Sequence, residues 1–403
     1  MSEVRRLLPA PQVVSPATSK ERLEERGFDR AVSKVMSMTA RDIIAEVSAS
    51  GIKGRGGAAF PTGLKWSSVY SAAGSPKYVV MNADESELGT FKDRVLLEQD
   101  PLGALVGLII AAYTVGARKA FCYIRGEYRD VEKNLNEGIK TLERTGWLGP
   151  ERVEIEIRRG AGAYIAGEET ALFNSIEGKR PEPRVKPPFP TEKGLWGAPT
   201  LIQNVETLAN IAILFAHDVS WFKEYGTKDT SGTKLVALSG HIRRPGVYEL
   251  PFGTPLADII NKEDLGGAMG PQRTLGAVLL GGAAGTFLSP KDIEGTVLDY
   301  PSLNKVGAGI GSGAMMVFDD TVNLSWVLTK MARFFAEESC GQCVPCRIGT
   351  HRILEIAEAG NLKARSQDLR ELGQAMRDAS ICGLGQTAPV ALLSVLDRPE
   401  LIY

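Results

Sequence analysis

Four cysteines carry the strongest chemical pattern in the chain. Cys340, Cys343 and Cys346 stand two residues apart from one another in ESCGQCVPCRIG, and Cys382 follows in ICGLG about one helical hairpin later. Thiolates so spaced wrap three corners of a cubane while a remote thiolate closes the fourth; a tetrahedral zinc site usually takes two CxxC or CxxH pairs. The spacing favours a 4Fe-4S cluster, with zinc as the rival on spacing alone. Disulfides fit poorly, because nothing at the N-terminus looks secretory and cytosolic thiols stay reduced. Cys122, inside the apolar run AFCYI, reads as a core cysteine.

Three other segments bear residue types suited to a nucleotide. Residues 51–65, GIKGRGGAAFPTGLK, cluster glycines around Lys53 and Arg55 and end in Phe60, Pro61 and Lys65. Glycines let backbone N–H groups approach a phosphate closely, and a helix start with a lysine adds positive potential. The segment is neither a Walker A loop nor a Rossmann fingerprint, and a Gly-rich turn is its rival reading. MNADESELGTFKDR gathers Asn82, Asp84, Glu85 and Glu87 where an apolar strand ends, a position where α/β sheets bind ligands; a solvated acidic loop is the alternative. In GAGAYIAGEETALFNSIEGKRPEP, Gly160, Gly162 and Gly167 precede Glu168 and Glu169, expected in the first turn of a helix, where acids suit the helix dipole. Lys186 and Phe189 in RVKPPFP then offer a cation and an aromatic face, against a plain polyproline surface segment. The glycines of 307–315, GAGIGSGAM, are read as a structural loop before a strand MMVF. The three histidines, His217, His241 and His351, do not pair at metal-binding spacing. No HExxH, nucleophile elbow or serine triad can be assembled.

The elements that must position these residues follow from periodicity. Length allows two to four domains at 403 residues, and 47 basic against 48 acidic residues leave a net charge of -1, so no global field argues for nucleic acid or an anionic membrane. The most apolar stretch, Leu102 to Ala117, is shorter than the roughly 20 residues that span a bilayer and reads as a buried helix. Residues 1–35 read as an arm. From 36 to about 230 apolar runs (KYVVMNA, AFCYI, VEIEI) alternate with helices, which predicts an α/β domain without a GxGxxG fingerprint. The Gly- and Pro-rich 178–199 is long enough to be functional. Short strands and tight turns over 231–320 suggest a β-grasp module, and 321–403 is helical, with the cysteines at helix ends.

Taken together, GRGGAAFPTGLKW, NADESELGTFKDR, GAGAYIAGEETAL, RVKPPFPTEKGLWGAPTLIQNVETLANI and ESCGQCVPCRIGT resemble one family over residues 30–395. It is the flavin-containing NADH-binding subunit of respiratory complex I (51-kDa or F-type), with its relatives in NAD-linked hydrogenases and formate dehydrogenases. The resemblance implies an FMN-binding α/β domain, a ubiquitin-like SLBB domain and an all-α C-terminal bundle with a 4Fe-4S cluster. It assigns the FMN cradle to Gly54, Arg55, Gly56, Gly57 and Lys65, to Asn82 and Asp84, and to Tyr164, Gly167, Glu168 and Asn204. It places NADH against Phe60, Glu87, Glu169, Lys186 and Phe189, with Glu87 and Glu169 at the reacting end. Cys340, Cys343, Cys346 and Cys382 become the cluster ligands. The chain departs from the usual pattern at Ala59, Leu88, Ala166 and Gln203; Ala59 adds a methyl where backbone is expected near nucleotide, and Gln203 a longer side chain near the flavin phosphate.

The implied activity is NADH oxidation: hydride passes from NADH to FMN, and single electrons go on to the cluster and a partner subunit. The implied partners are a thioredoxin-like 2Fe-2S (24-kDa, E-type) subunit and a larger iron–sulfur subunit, on the cytoplasmic face of a membrane without direct insertion. Two alternatives stand beside this: a diaphorase subunit of a soluble or electron-bifurcating hydrogenase or formate dehydrogenase, and a non-catalytic electron-transfer scaffold.

Overall fold

The apolar runs of the first half become a parallel sheet in the computed structural model, which describes residues 3–149, 152–270 and 272–401. Strands β1 (Tyr78–Ala83), β2 (Lys119–Ile124), β3 (Glu154–Arg159) and β4 (Thr200–Asn204) lie in the order β3-β2-β1-β4, all parallel. YVVMNA and KAFCYI are buried on both faces because helices cover both sides of a parallel sheet, whereas the alternating EIEIRR of β3 suits an edge. Helix Pro101–Val115 is buried at every residue but Tyr113 and crosses helix Val205–Ala216. Gly107 makes that crossing possible: a Cβ there would lie 2.0 Å from the carbonyl oxygen of Leu208. Among the described residues no single helix is long and apolar enough to cross a membrane.

A second sheet contains β5 (Thr233–Gly240), β6 (Gly246–Pro251), β7 (Leu275–Leu280), β8 (Thr286–Leu288) and β9 (Ala314–Asp319) in the order β8-β7-β9-β5-β6. The first and last strands, β5 and β9, pair in parallel at its centre, and hairpin β5–β6 and strands β7 and β8 add antiparallel neighbours. Period-two alternation divides this sheet between two cores. Val278 and Leu280 face a core with helix Leu256–Asn261, while Ala277 and Leu279 face the C-terminal helices. Those helices, Leu324–Glu338, Val344–Glu358, Ser366–Ala379, Gly383–Thr387 and Val390–Leu396, complete the described chain with one short turn of helix after them.

The N-terminal segment is tied down at several points. The amides of Arg6, Leu7 and Leu8 donate to Glu249 Oε2 on β6 at 2.9, 2.8 and 3.1 Å, and Leu7 and Leu8 are buried. Helix Phe28–Met36 then inserts Phe28, Ala31, Val32 and Val35 into the core under the first sheet. This segment bridges the two sheets.

Gly107→Ala should therefore lower stability by about 1–3 kcal/mol, since the helix pair must separate to admit one methyl. Chemical denaturation of the variant against the wild type measures the loss.

Candidate active site

The carboxyl ends of β1 and β4 open onto one cavity of about 700 Å³, within the range that accommodates cofactors and substrates. β1 delivers Asn82 and, just beyond it, Asp84; β4 ends at Asn204, which caps helix Val205–Ala216 by accepting from the Glu206 amide. Gly56 and Gly57 enter from the 53–61 loop, and Tyr164, Gly167 and Glu168 from the short helical turn Tyr164–Gly167. Glu87 reaches the cavity from the acidic loop. The loops of the second sheet add Gly281, Gly285, Gly309 and Ser312, and the C-terminal helices add Leu384, Thr387 and Val390. Residues 307–313, read from sequence as a structural loop, thus border the cavity, because the β7–β9 end of the second sheet abuts the first domain.

The polar groups of the wall are rich in carboxylates and short of cations. Burial lifts the Asp84 carboxyl to about 6, and its Oδ1 is buried without a partner. Burial, reinforced by neighbouring Asp93, lifts Glu85 to about 7, although Glu85 accepts from the Asp93 and Arg94 amides at 2.8 and 2.9 Å. Glu85 is 5 % exposed, so this part of the acidic segment is no solvated loop. Burial also raises Glu87, against a 2.6 Å bond from the Tyr164 hydroxyl and one from the Ala284 amide at 3.2 Å. Lys92, fully buried, supplies positive charge; it contacts Asp93 at 2.6 Å and Glu206 at 2.9 Å.

The remaining expected residues do not line this cavity. Arg55 is 1 % exposed and points its guanidinium at the Ser231 carbonyl (3.1 Å) and the Phe252 ring, so this side chain braces the domain junction. Gly54 donates its amide to the Phe60 carbonyl at 2.9 Å, closing the 53–61 loop. Lys65, on helix Thr62–Ser71, lies 3.4 Å from Glu169, and Lys186 contacts Glu169 at 2.7 Å and Glu168 at 3.0 Å. Burial would raise Glu169, but Lys65 and Lys186 outweigh it and hold the carboxyl below its ordinary value. Glu168, on the cavity wall, links this ionic group to the cavity. Phe60 and Phe189 are about half exposed and stand free on the surface side. Ala59 adopts φ 53 outside the cavity lining, and Ala166 and Gln203 are buried behind the wall. Lys92, Asp93, Glu206 and Lys234 escaped the sequence reading. For Glu206 and Lys234 the signal was a lone charge in an apolar element, VETLANIAILFA and KLVAL; Lys92 and Asp93 sit in the charged KDR run and had no such signal.

The four cysteines border a second, small enclosed space with Ile165, Pro183, Ile381 and Leu384. Cys343 and Cys382 precede helices, Cys346 lies in the first turn of helix Val344–Glu358, and Cys340 sits in the loop before them. Gly385 allows the Cys382 turn to approach, since a Cβ there would lie 2.8 Å from that of Cys346. Backbone N–H groups of Leu384 and Gly385 point at the Cys382 sulfur. Among the described residues no three ligating side chains converge on a single-ion site, whereas four sulfurs share one space. Four thiolates alone would suit a cluster or a zinc ion; the Cys340, Cys343, Cys346 spacing with a remote Cys382 is what favours the cluster. Burial pushes the Cys346 and Cys382 thiols up to about 11, so iron binding must displace their protons.

The larger cavity suits FMN. Gly57, Gly307 and Gly309 border it, and a Cβ on any of them would meet nothing within 4 Å, leaving ligand space beside bare backbone. The unpartnered Asp84 Oδ1 awaits a donor. Ile165 and Leu384 border both cavities, so the two sites share a wall.

Two outcomes are expected. The Asp84 carboxyl lies at about 6 when folded and 3.8 when free, so it favours folding below pH 4 and loses that contribution as pH rises through 6. In the flavin-free chain, the stability of the wild type relative to Asp84→Asn should fall by about 2 kcal/mol between pH 4 and 7.5, read from unfolding midpoints. Cys343→Ala should abolish the EPR signal of the reduced protein, and an unchanged signal would remove Cys343 from the ligand set.

Comparison with known proteins matches the same two regions. Residues 47–213 match the Nuo51 FMN-binding domain, and 326–399 match the NADH-ubiquinone oxidoreductase-F iron-sulfur binding region. The second F-type subunit of NADH-quinone oxidoreductase in Rhizobium meliloti (strain 1021) is 41% identical over 386 residues, 93% of this chain and 90% of that protein. The HndC component of the NADP-reducing hydrogenase of Solidesulfovibrio fructosivorans is 38% identical over 95% of this chain and 79% of its own length. A crystal structure of an NAD+-reducing NiFe hydrogenase in the H2-reduced state superposes with a TM-score of 0.84 at 36% identity, covering 98% of this chain and 67% of that one. On sequence, fold and paired cavities alike, the chain belongs to the family of F-type NADH-quinone oxidoreductase subunits and their hydrogenase relatives, flavoproteins with an FMN-binding domain and a 4Fe-4S region.

Proposed function

We propose that this chain is the NADH-oxidising subunit of a complex I-type NADH:quinone oxidoreductase. The observation that carries the reading is the shared wall of Ile165 and Leu384 between a cofactor-sized cavity and a four-thiol pocket. FMN held in the larger cavity would supply two-electron hydride acceptance and one-electron release, which an iron–sulfur acceptor requires.

The chain's residues hold, orient and shield. The glycines Gly56, Gly57 and Gly167 let backbone approach the flavin, with Asn82, Asp84 and Asn204 offering polar contacts at the strand ends. Gly54 and Arg55 act from behind, by closing and bracing the 53–61 loop. Lys65, Glu169 and Lys186 form an ionic group beside Glu168 that opens to receive the charged half of NADH, and exposed Phe189 and Phe60 offer faces to its adenine. Glu87, fixed by Tyr164 and the Ala284 amide, orients the nicotinamide end. Cys340, Cys343, Cys346 and Cys382 hold the cluster.

The same reading divides the chain into an arm (1–35), an FMN- and NADH-binding domain (36–230), a ubiquitin-like SLBB domain (231–320) and a helical bundle with the cluster (321–403). Central parallel first and last strands in the second sheet support the SLBB assignment. A thioredoxin-like 2Fe-2S subunit and a larger iron–sulfur subunit would receive the electrons, with the assembly peripheral on the cytoplasmic face of the membrane. The hydrogenase superposition over 98% of the chain favours one second reading, a diaphorase subunit of an NAD-linked hydrogenase.

Anaerobic addition of NADH to the FMN-loaded chain should bleach the flavin absorbance and bring up the cluster EPR signal. Flavin that stays oxidised would replace this reading with that of a non-catalytic scaffold. Glu87→Gln should lower kcat/KM for NADH by on the order of 10- to 100-fold, the loss of one charge-assisted hydrogen bond, with FMN retained. Steady-state dye reduction and the bound-flavin ratio measure the two effects; release of FMN would contradict the assigned role.

A further inference from the structure

We propose that Lys234 of the second sheet is a positioning residue of the flavin cavity: its ammonium joins the Glu206 helix start to the Ser312 loop and so fixes two walls of the cavity against each other. The proposal rests on reading that cavity as the FMN site.

Lys234 is 1 % exposed on strand β5 and lies outside the cavity lining. Its Nζ donates to Glu206 Oε2 at 2.6 Å, to the Leu235 carbonyl at 2.9 Å and to the Ser312 carbonyl at 3.0 Å, which uses all three protons. Glu206 belongs to the first domain, in the helix that cavity residue Asn204 caps; Ser312 lines the cavity from the second. The other Glu206 oxygen accepts the Leu235 amide at 2.9 Å, so one carboxylate docks β5 through both backbone and side chain. Lys92, on the cavity wall, shares Glu206 Oε2 with Lys234. A second tie runs parallel to the first, from the Thr90 hydroxyl to the Ser312 hydroxyl at 2.6 Å. The loop closes tightly on the amine: a Cβ at Gly313 would lie 2.7 Å from Nζ.

The charged groups facing Lys234 are Glu206 from the helix Val205–Ala216, Lys92 from the helix Lys92–Gln99 and Arg55 from the 53–61 loop. Burial, outweighing Glu206 and helped by Lys92 and Arg55, lowers the amine to about 7. A neutral amine keeps two protons for three acceptors and leaves Glu206 with less compensation. The Ser312 wall then loosens, and ligand escapes faster.

The test follows FMN release from the flavin-loaded full-length chain by recovery of free-flavin fluorescence after dilution, from pH 6 to 9. Lys234→Met should speed release about tenfold or more at pH 7, the loss of one charge-assisted hydrogen bond. The wild-type rate should rise between pH 7 and 9, and Lys234→Arg, which keeps its charge, should lose that rise. A folded Lys234→Met that releases FMN at the wild-type rate overturns the proposal. Where that variant does not fold, a Lys234→Arg profile with the same rise as the wild type overturns it. A wild-type chain that retains no FMN at any pH removes the cavity reading itself, a result distinct from both.

Discussion

The Glu206 carboxylate has no exposed atom, and a buried charge of this kind costs several kcal/mol unless cations and hydrogen bonds meet it closely. Lys92 and Lys234 meet it from two different domains, with Arg55 nearby. Each of these cations has its own requirement. Lys92 holds Asp93, Asp93 accepts from the Asn204 amide group at 2.7 Å, and the Asp93 backbone donates to Glu85. The network therefore runs from the domain junction to the cavity wall without a gap. Moving the second sheet away would strand the Glu206 carboxylate in an apolar interior, so the network opposes separation of the two domains at the cavity.

A second constraint acts between the cofactor sites. The turn Tyr164–Gly167 presents Tyr164 and Gly167 to the larger cavity and Ile165 to both that cavity and the cysteine space. Glu338, just before Cys340, accepts the Tyr164 amide at 2.9 Å, and the Tyr164 ring packs on Phe334 at 5.1 Å. Arg180 donates to the Cys340 carbonyl at 2.9 Å. The turn is thus fastened to the helix that leads into the thiol pocket. Ile165 and Leu384, which border both cavities, are apolar and would limit water and local dielectric around a cluster held by the cysteines.

Most of the fold was legible because the signals were strong and local. β1 and β2 were apolar runs and the cysteines a spaced motif; the helix Leu102 onward was read as buried and is. What escaped was long-range. Glu206 and Lys234 each looked like an isolated charge in an apolar element, and only their tertiary meeting gives either a meaning. The Ser312 loop lacked the strand-before, helix-after context of a nucleotide loop, since it borders the cavity through domain packing and not through its own motif. Arg55 sat among glycines suited to phosphate, yet its guanidinium reaches the Ser231 carbonyl and the Phe252 ring of the second domain.

Two of the departures from the family pattern, Ala59 and Gln203, lie outside the cavity lining. Ala59 sits at φ 53, a conformation that costs a non-glycine residue roughly 1–2 kcal/mol, and the Gly54–Phe60 hydrogen bond and the Lys53–Pro61 bridge hold it there. Its methyl does not reach the cavity lining. Gln203 is buried on β4 with its Nε2 unpartnered, one residue from Asn204. Neither Ala59 nor Gln203 lines the cavity, whereas Gly56, Gly57, Asn82 and Asn204 do. Strain that sits in the backing layer of a site and leaves its lining intact alters how firmly the wall is held before it alters what the wall recognises.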